Sequence, residues 1–91
     1  MHALLIAINS KYVHTALGLR YVGEYAKAQG FDVHLIEETI NTPILAVLEN
    51  IMDVKADVYA FSVHIWNKPF VYRLISMLKK LRPEATIVVG G

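Results

Sequence analysis

Two short segments hold most of the side chains able to do chemistry. One is Asn9-Ser10-Lys11-Tyr12-Val13-His14 and the other is Ser62-Val63-His64-Ile65-Trp66-Asn67. Together they carry two of the four histidines and the only tryptophan. Ser62 beside His64 invites a nucleophile reading. Hydrolysis also needs an acid to orient the base and a strained elbow to present the hydroxyl, and the sequence supplies neither. A dinucleotide site needs Gly-x-Gly-x-x-Gly after the first strand, so that phosphate can approach backbone and helix terminus. The first segment contains no glycine, and the Gly-Lys-Ser/Thr of a P-loop is missing too. A receiver domain needs an acidic cluster in the first segment and an aspartate at the end of the third strand, where Ser62 stands. A third stretch, Ile87-Val88-Val89-Gly90-Gly91, is a β-branched run closing on two glycines. In an α/β domain that pattern marks a loop where backbone comes close to a ligand.

The elements that position these segments follow from composition and pattern. Ninety-one residues make one domain, 1–91, with a modest core. The hydrophobic fraction of 55% fits a sheet buried on both faces and implies that some apolar surface meets another body. A net charge of +1 gives no electrostatic case for nucleic acid or an anionic membrane. Without cysteine, this segment offers no disulfide, no thiolate metal site and no iron–sulfur ligation. No apolar run is long enough to span a bilayer or to serve as a signal sequence. A cytoplasmic protein is expected.

Ala3 to Ile8 is a continuous apolar run, the signature of a strand buried on both faces. A helix is expected from about Val13 to Gln29, with Ala16, Leu19, Val22 and Ala26 as its apolar stripe and Gly30 as its stop. Tyr21 and Tyr25, four apart, should pack at the margin of the core. Val33 to Ile36 reads as the second strand. Thr42 and Pro43 suit the N-cap and first turn of a helix that turns Ile44, Val47, Leu48 and Ile51 inward. Asp57 to Ser62 is the third strand. Asn67 should cap a helix running to about Arg82, with Val71, Leu74, Ile75, Leu78 and Leu81 inward and Pro83 beyond its end. Thr86 to Val89 is the fourth strand. The order β-α-β-α-β-α-β with short, right-handed connections gives a three-layer α/β/α fold, Rossmann-like or flavodoxin-like, with a parallel sheet in the order 2-1-3-4. The chain is expected to stop before a fifth strand.

Ligands of such sheets sit outside the carboxyl ends of the strands, at the switch between strands 1 and 3. That rule selects Asn9, Ser10, Lys11, Tyr12 and His14 after strand 1, Thr39 and Asn41 after strand 2, Ser62, His64 and Trp66 after strand 3, and Gly90 and Gly91 after strand 4 as the candidate binding residues. His2 and His34 fall elsewhere, and His34 should be structural or exposed.

At these loops the sequence resembles the N-terminal cobalamin (B12)-binding domain of B12-dependent radical SAM proteins. The carriers are Asn9-Ser10-Lys11-Tyr12-Val13-His14-Thr15, Ala60-Phe61-Ser62-Val63-His64-Ile65-Trp66-Asn67 and Ile87-Val88-Val89-Gly90-Gly91, and the resemblance covers essentially the whole chain. It implies a domain that binds cobalamin and precedes a radical SAM barrel, whose cysteines hold a 4Fe–4S cluster and whose co-substrate is SAM. It also implies metal binding through cobalt. The wider superfamily has Asp-x-His-x-x-Gly, Ser-x-Leu and Gly-Gly after strands 1, 3 and 4. The histidine ligates cobalt from below, the serine contacts the displaced dimethylbenzimidazole tail, and the glycines let that tail run along the sheet. Here Gly90-Gly91 and Ser62 match. His64 stands in place of leucine, Tyr12 in place of aspartate, and Gly18 follows His14 at four residues rather than three. Methylthiotransferases also place an α/β domain before a radical SAM barrel, but that domain supplies cluster cysteines, which this chain lacks.

Several residues keep two readings. His14 is a cobalt ligand, or it orders the first loop, since the carboxylate that would fix its other nitrogen is missing. Ser62 bonds the nucleotide tail, or it satisfies backbone at a strand end. Trp66 and Tyr12 wall a flat ligand, or they close the core. Lys11 reaches an anionic group or is solvated. For the whole chain the alternative is a non-catalytic α/β interaction module that has lost cofactor binding. Neither reading makes this segment catalytic alone. The uncovered edge of strand 4, or the adjoining surface of the third helix, is expected to drive a truncation-induced homodimer.

Overall fold

A computed structural model describes residues 2–9, 17–64 and 66–90. The elements run β1 (His2–Asn9), α1 (Leu17–Ala28), β2 (Asp32–Thr39), α2 (Ile44–Met52), β3 (Val58–Ser62), α3 (Lys68–Leu81) and β4 (Thr86–Gly90). The four strands form one sheet in the order β2-β1-β3-β4, and every pairing is parallel. This is the flavodoxin-like arrangement expected from the element order.

Side chains alternate across β1, and each face meets different helices. Leu4, Ile6 and Ile8 join Tyr59 and Phe61 of β3 in a core closed by Val47, Leu48 and Ile51 of α2 and Val71, Leu74 and Leu78 of α3. Leu5 points the other way, toward α1. Gly23 lets that helix come close: a Cβ there would lie 2.9 Å from Leu5 Cδ1. The continuous apolar run of β1 is therefore explained by burial on two faces, and its residues from Leu4 to Asn9 are all buried.

Some local expectations need correction. Thr42 does not cap α2. The N-cap position is Pro43, with no side-chain cap, and the Thr42 hydroxyl lies 3.3 Å from that of Thr39. A threonine that bonds within the preceding turn is lost to the helix. Tyr21 and Tyr25 are exposed rather than packed at the core margin, because α1 turns Gly23 and the half-buried Ala26 inward. Leu81 is exposed as well. The last turn of α3 reaches past the core to the rim of a cavity at the amino ends of the strands, where Leu81 stands with His2, Asp57 and Thr86. The second strand is longer than Val33–Ile36, extending to Asp32 and Thr39. Gly30 stops α1 as expected, with φ of 92° and Phe31 N donating to Ala26 O. The proposed start of that helix, Val13 to Ala16, lies outside the described residues, as do the side chains of Leu19 and Val22.

Candidate functional site

The carboxyl edge of the sheet is assembled by register. Asn9 pairs with Thr39, Ala7 with Ser62 and Ser62 with Gly90. Thr39, Asn9, Ser62 and Gly90 thus stand along one edge, in the order of the strands. Neighbouring strands are about 5 Å apart and the pairs are offset by two residues, so Thr39 is roughly 12 Å from Ser62. Its hydroxyl is engaged locally, accepting from Asn41 N at 3.2 Å, while Asn41 itself is exposed. Asn9 is buried, and its carbonyl accepts from Ile40 N.

Between β1 and β3 the edge is tied together by Asn67, which is fully buried. Its Nδ2 donates to Ile8 O at 2.9 Å and to Ser62 O at 3.2 Å. Its Oδ1 accepts from His64 N at 2.6 Å. One amide therefore joins the last turn of two strands to the start of α3. Asn67 does occupy the N-cap position, but its side chain makes no cap bond to the helix. Asn67 stands at the expected cap position, but its side chain serves the two strands instead of the helix. Its partners at Ile8 and Ser62 depend on tertiary pairing, which no local pattern reveals.

The loop held in this way carries three of the candidate side chains. His64 Nε2 and Ser62 Oγ are 2.9 Å apart. The His64 and Trp66 rings stack, 5.4 Å between centroids and 7° between planes. His64 and Trp66 are half-buried and Ser62 is mostly buried. The structure therefore brings Ser62, His64 and Trp66 into one cluster. Beside it, Val63 N donates to Gly90 O at 2.7 Å. Among the described residues a Cβ at Gly90 would meet nothing within 4 Å, so none of them requires glycine there.

Ser10, Lys11, Tyr12, His14 and Gly91 lie outside the described residues, and with them the candidate cobalt ligand. Among the described residues no three His, Asp or Glu side chains gather as metal ligands. No helix among them is long and apolar enough to cross a membrane. His34 is exposed on β2.

A cavity of about 780 Å3 opens at the opposite end, lined by Lys55, Asp57, Arg82 and Glu84 among others. Arg82 is already committed there. The guanidinium donates to Met52 O and Val54 O and meets the Tyr59 hydroxyl. Parallel sheets take ligands at their carboxyl ends, where the loops are free to vary. Ser62, His64, Trp66 and Gly90 are all at that end, so we assign the candidate site there.

Comparison with known families gives a B12 binding domain, matched over residues 3–91. No curated protein matches the chain.

Proposed function

The chain belongs to the B12 binding domain family, and we propose that it holds cobalamin at the carboxyl edge of the sheet, between β1 and β3, and presents it to a radical SAM domain of the same protein in the cytoplasm. The observation that carries this placement is the Asn67 tie, which fixes the Ser62–His64–Trp66 cluster at the switch point beside Gly90, where no described residue fills the place of a Cβ.

The residues present fit the group. Ser62 and His64 offer polar atoms to a heteroaromatic tail, and the indole of Trp66 offers a flat face. Gly90 leaves room among the described residues for a ligand to run along β4. Asn9, Thr39 and Asn41 extend the polar rim across β1 and β2, and Ser10, Lys11, Tyr12, His14 and Gly91 complete the set in sequence. Bound cobalamin supplies a cobalt centre for group or electron transfer, which no side chain here could provide. The protein's own part is to bind, to orient and to keep water from the face that Trp66 covers. The radical chemistry, with its 4Fe–4S cluster and SAM, would belong to the partner domain, since this chain has no cysteine.

Titration with hydroxocobalamin tests the reading. Its visible spectrum should shift, and Trp66 fluorescence should be quenched. Ser62→Ala should weaken binding. A folded chain that gives no spectral change and is not retained on a cobalamin resin would favour the interaction module instead. That second reading has its own observation, the half-exposed Val88 and Val89 on β4.

A further inference from the structure

The solvent side of α3 carries a charge pattern that the fold does not account for. The helix holds four of the nine lysine and arginine residues of the chain and none of the eight aspartate and glutamate residues. Lys68, Tyr72, Arg73, Ser76, Lys79 and Lys80 are all exposed. At 3.6 residues per turn they share an arc of about 140°, away from Val71, Leu74 and Leu78, which face the core. Among the described residues no carboxylate pairs with any of the four cations. Tyr72 stands among them, with Lys68 Nζ 5.7 Å from its ring centroid.

Helix stability explains half of this pattern. Lys79 and Lys80 lie in the last turn, where cations suit the helix dipole, and Lys79 Nζ donates to Ala85 O. Lys68 has the reverse placement. It opens the helix, at the positive end of the dipole, where an acid would be stabilising and the first turn has none. Arg73 is in the middle, beyond the reach of either end. A lysine that opposes its own helix, beside an exposed aromatic ring, points to a body outside the chain.

We propose that this face of α3 docks an acidic amphipathic helix of a partner protein, with carboxylates against the cations and an apolar side chain against Tyr72. The inference goes beyond the cofactor reading and does not depend on it. The spacing suits a helix. Arg73 and Lys80 are seven residues apart, roughly 10 Å along the axis, and Lys68 and Lys79 are eleven apart, roughly 16 Å. Both separations are close to whole turns, so a second helix lying alongside meets them with acids at its own i, i+7 and i+11. Tyrosine and arginine are also the types that dominate protein–protein contacts. A nucleic acid fits less well. With +4 on α3 and +1 in all, the rest of the chain sums to −3. A long polyanion running past the ends of α3 would meet that field, and a helix of matching length does not.

Two labelled helical peptides serve as probes, one with glutamate at i, i+7 and i+11 around a central leucine, the other with glutamine in place of glutamate. Each is titrated with the whole chain and followed by fluorescence anisotropy. The glutamate peptide should bind at least roughly tenfold tighter at low salt, and the difference should shrink as salt rises. Lys68→Glu with Arg73→Glu should abolish most of that difference, and Tyr72→Ala should weaken both peptides. The control is Lys27→Glu with Lys55→Glu, the same change in net charge on other exposed positions, which should alter affinity by less than about threefold. A glutamate peptide that binds no better than the glutamine peptide would overturn the inference. So would an equal loss in the control pair, since net charge alone would then account for binding. A single-stranded oligonucleotide or a phosphatidylserine vesicle bound more tightly than the glutamate peptide would assign the face to nucleic acid or membrane, and overturn it too.

Discussion

Replacing Asn67 by alanine would strand three backbone groups at once: His64 N, Ile8 O and Ser62 O. All three sit around a fully buried side chain. A buried polar group without a partner costs about 1–3 kcal/mol, and some water entry offsets the sum. Asn67→Ala should therefore lose about 2–4 kcal/mol, read as a lower urea midpoint. Asn67→Asp should lose at least as much near neutral pH. Its carboxylate still accepts from His64 N but faces the Ile8 and Ser62 carbonyl oxygens, where the amide had donated. Equal stability of Asn67→Asp and wild type would show that those two donations are not needed. His14 belongs at the same scale. With Tyr12 where an orienting carboxylate would stand, His14→Ala should change cobalamin affinity less than the loss of an axial ligand would. Electron paramagnetic resonance of the cob(II)alamin complex decides: nitrogen superhyperfine splitting that vanishes in His14→Ala would contradict this. Ser62, His64 and Trp66 were legible as a group because a strand end gathers its own loop. The role of Asn67 was hidden because one partner, Ile8, is fifty-nine residues away.

At the scale of elements, the two ends of the sheet should respond separately to mutation. At the amino end, Arg82 donates to Met52 O and Val54 O where α2 finishes. Those carbonyls have no partner within the helix, and a cation near them also suits the helix dipole. Arg82→Ala should cost about 1–3 kcal/mol in denaturant unfolding and leave cofactor affinity unchanged. At the carboxyl end the signs reverse. Gly90→Val adds a β-branched side chain to a strand where a Cβ meets none of the described residues within 4 Å. Stability should hold or rise slightly, while cobalamin binding should be lost as the side chain fills the path along β4. Binding by Gly90→Val at wild-type strength would move the ligand away from that strand. The order of elements could be read from the sequence, because two-sided burial makes β1 a continuous apolar run and glycine at positive φ ends α1. Helix faces were read less well. Leu81 repeats the spacing of Leu74 and Leu78, but α3 outruns the core at that point. Periodicity gives the direction of a side chain and not whether anything lies opposite it.

At the scale of the whole molecule, the sheet of the described residues has two edges, β2 and β4, and they differ in chemistry. β2 carries Asp32, His34, Glu37 and Glu38 along its length, and charged side chains are a common way to discourage pairing with another chain. β4 reads Thr86-Ile87-Val88-Val89-Gly90, without a charge or a proline. Val88 and Val89 point to opposite faces of the sheet, and each is 49% exposed. Among the described residues neither face of this strand is fully covered, and no strand pairs with its outer backbone groups. A second copy can supply that strand about a two-fold axis, which places the two β4 edges antiparallel and makes one continuous sheet. Self-association should therefore begin along Ile87 to Gly90. Light scattering across a concentration series should show a monomer passing to a dimer. Val88→Lys should hold the monomer to higher concentration, since pairing would bring two ammonium groups close together across the axis. His34→Lys on the opposite edge should change nothing. A strict monomer at high concentration, or a dimer that Val88→Lys leaves intact, would exclude the β4 edge as the contact.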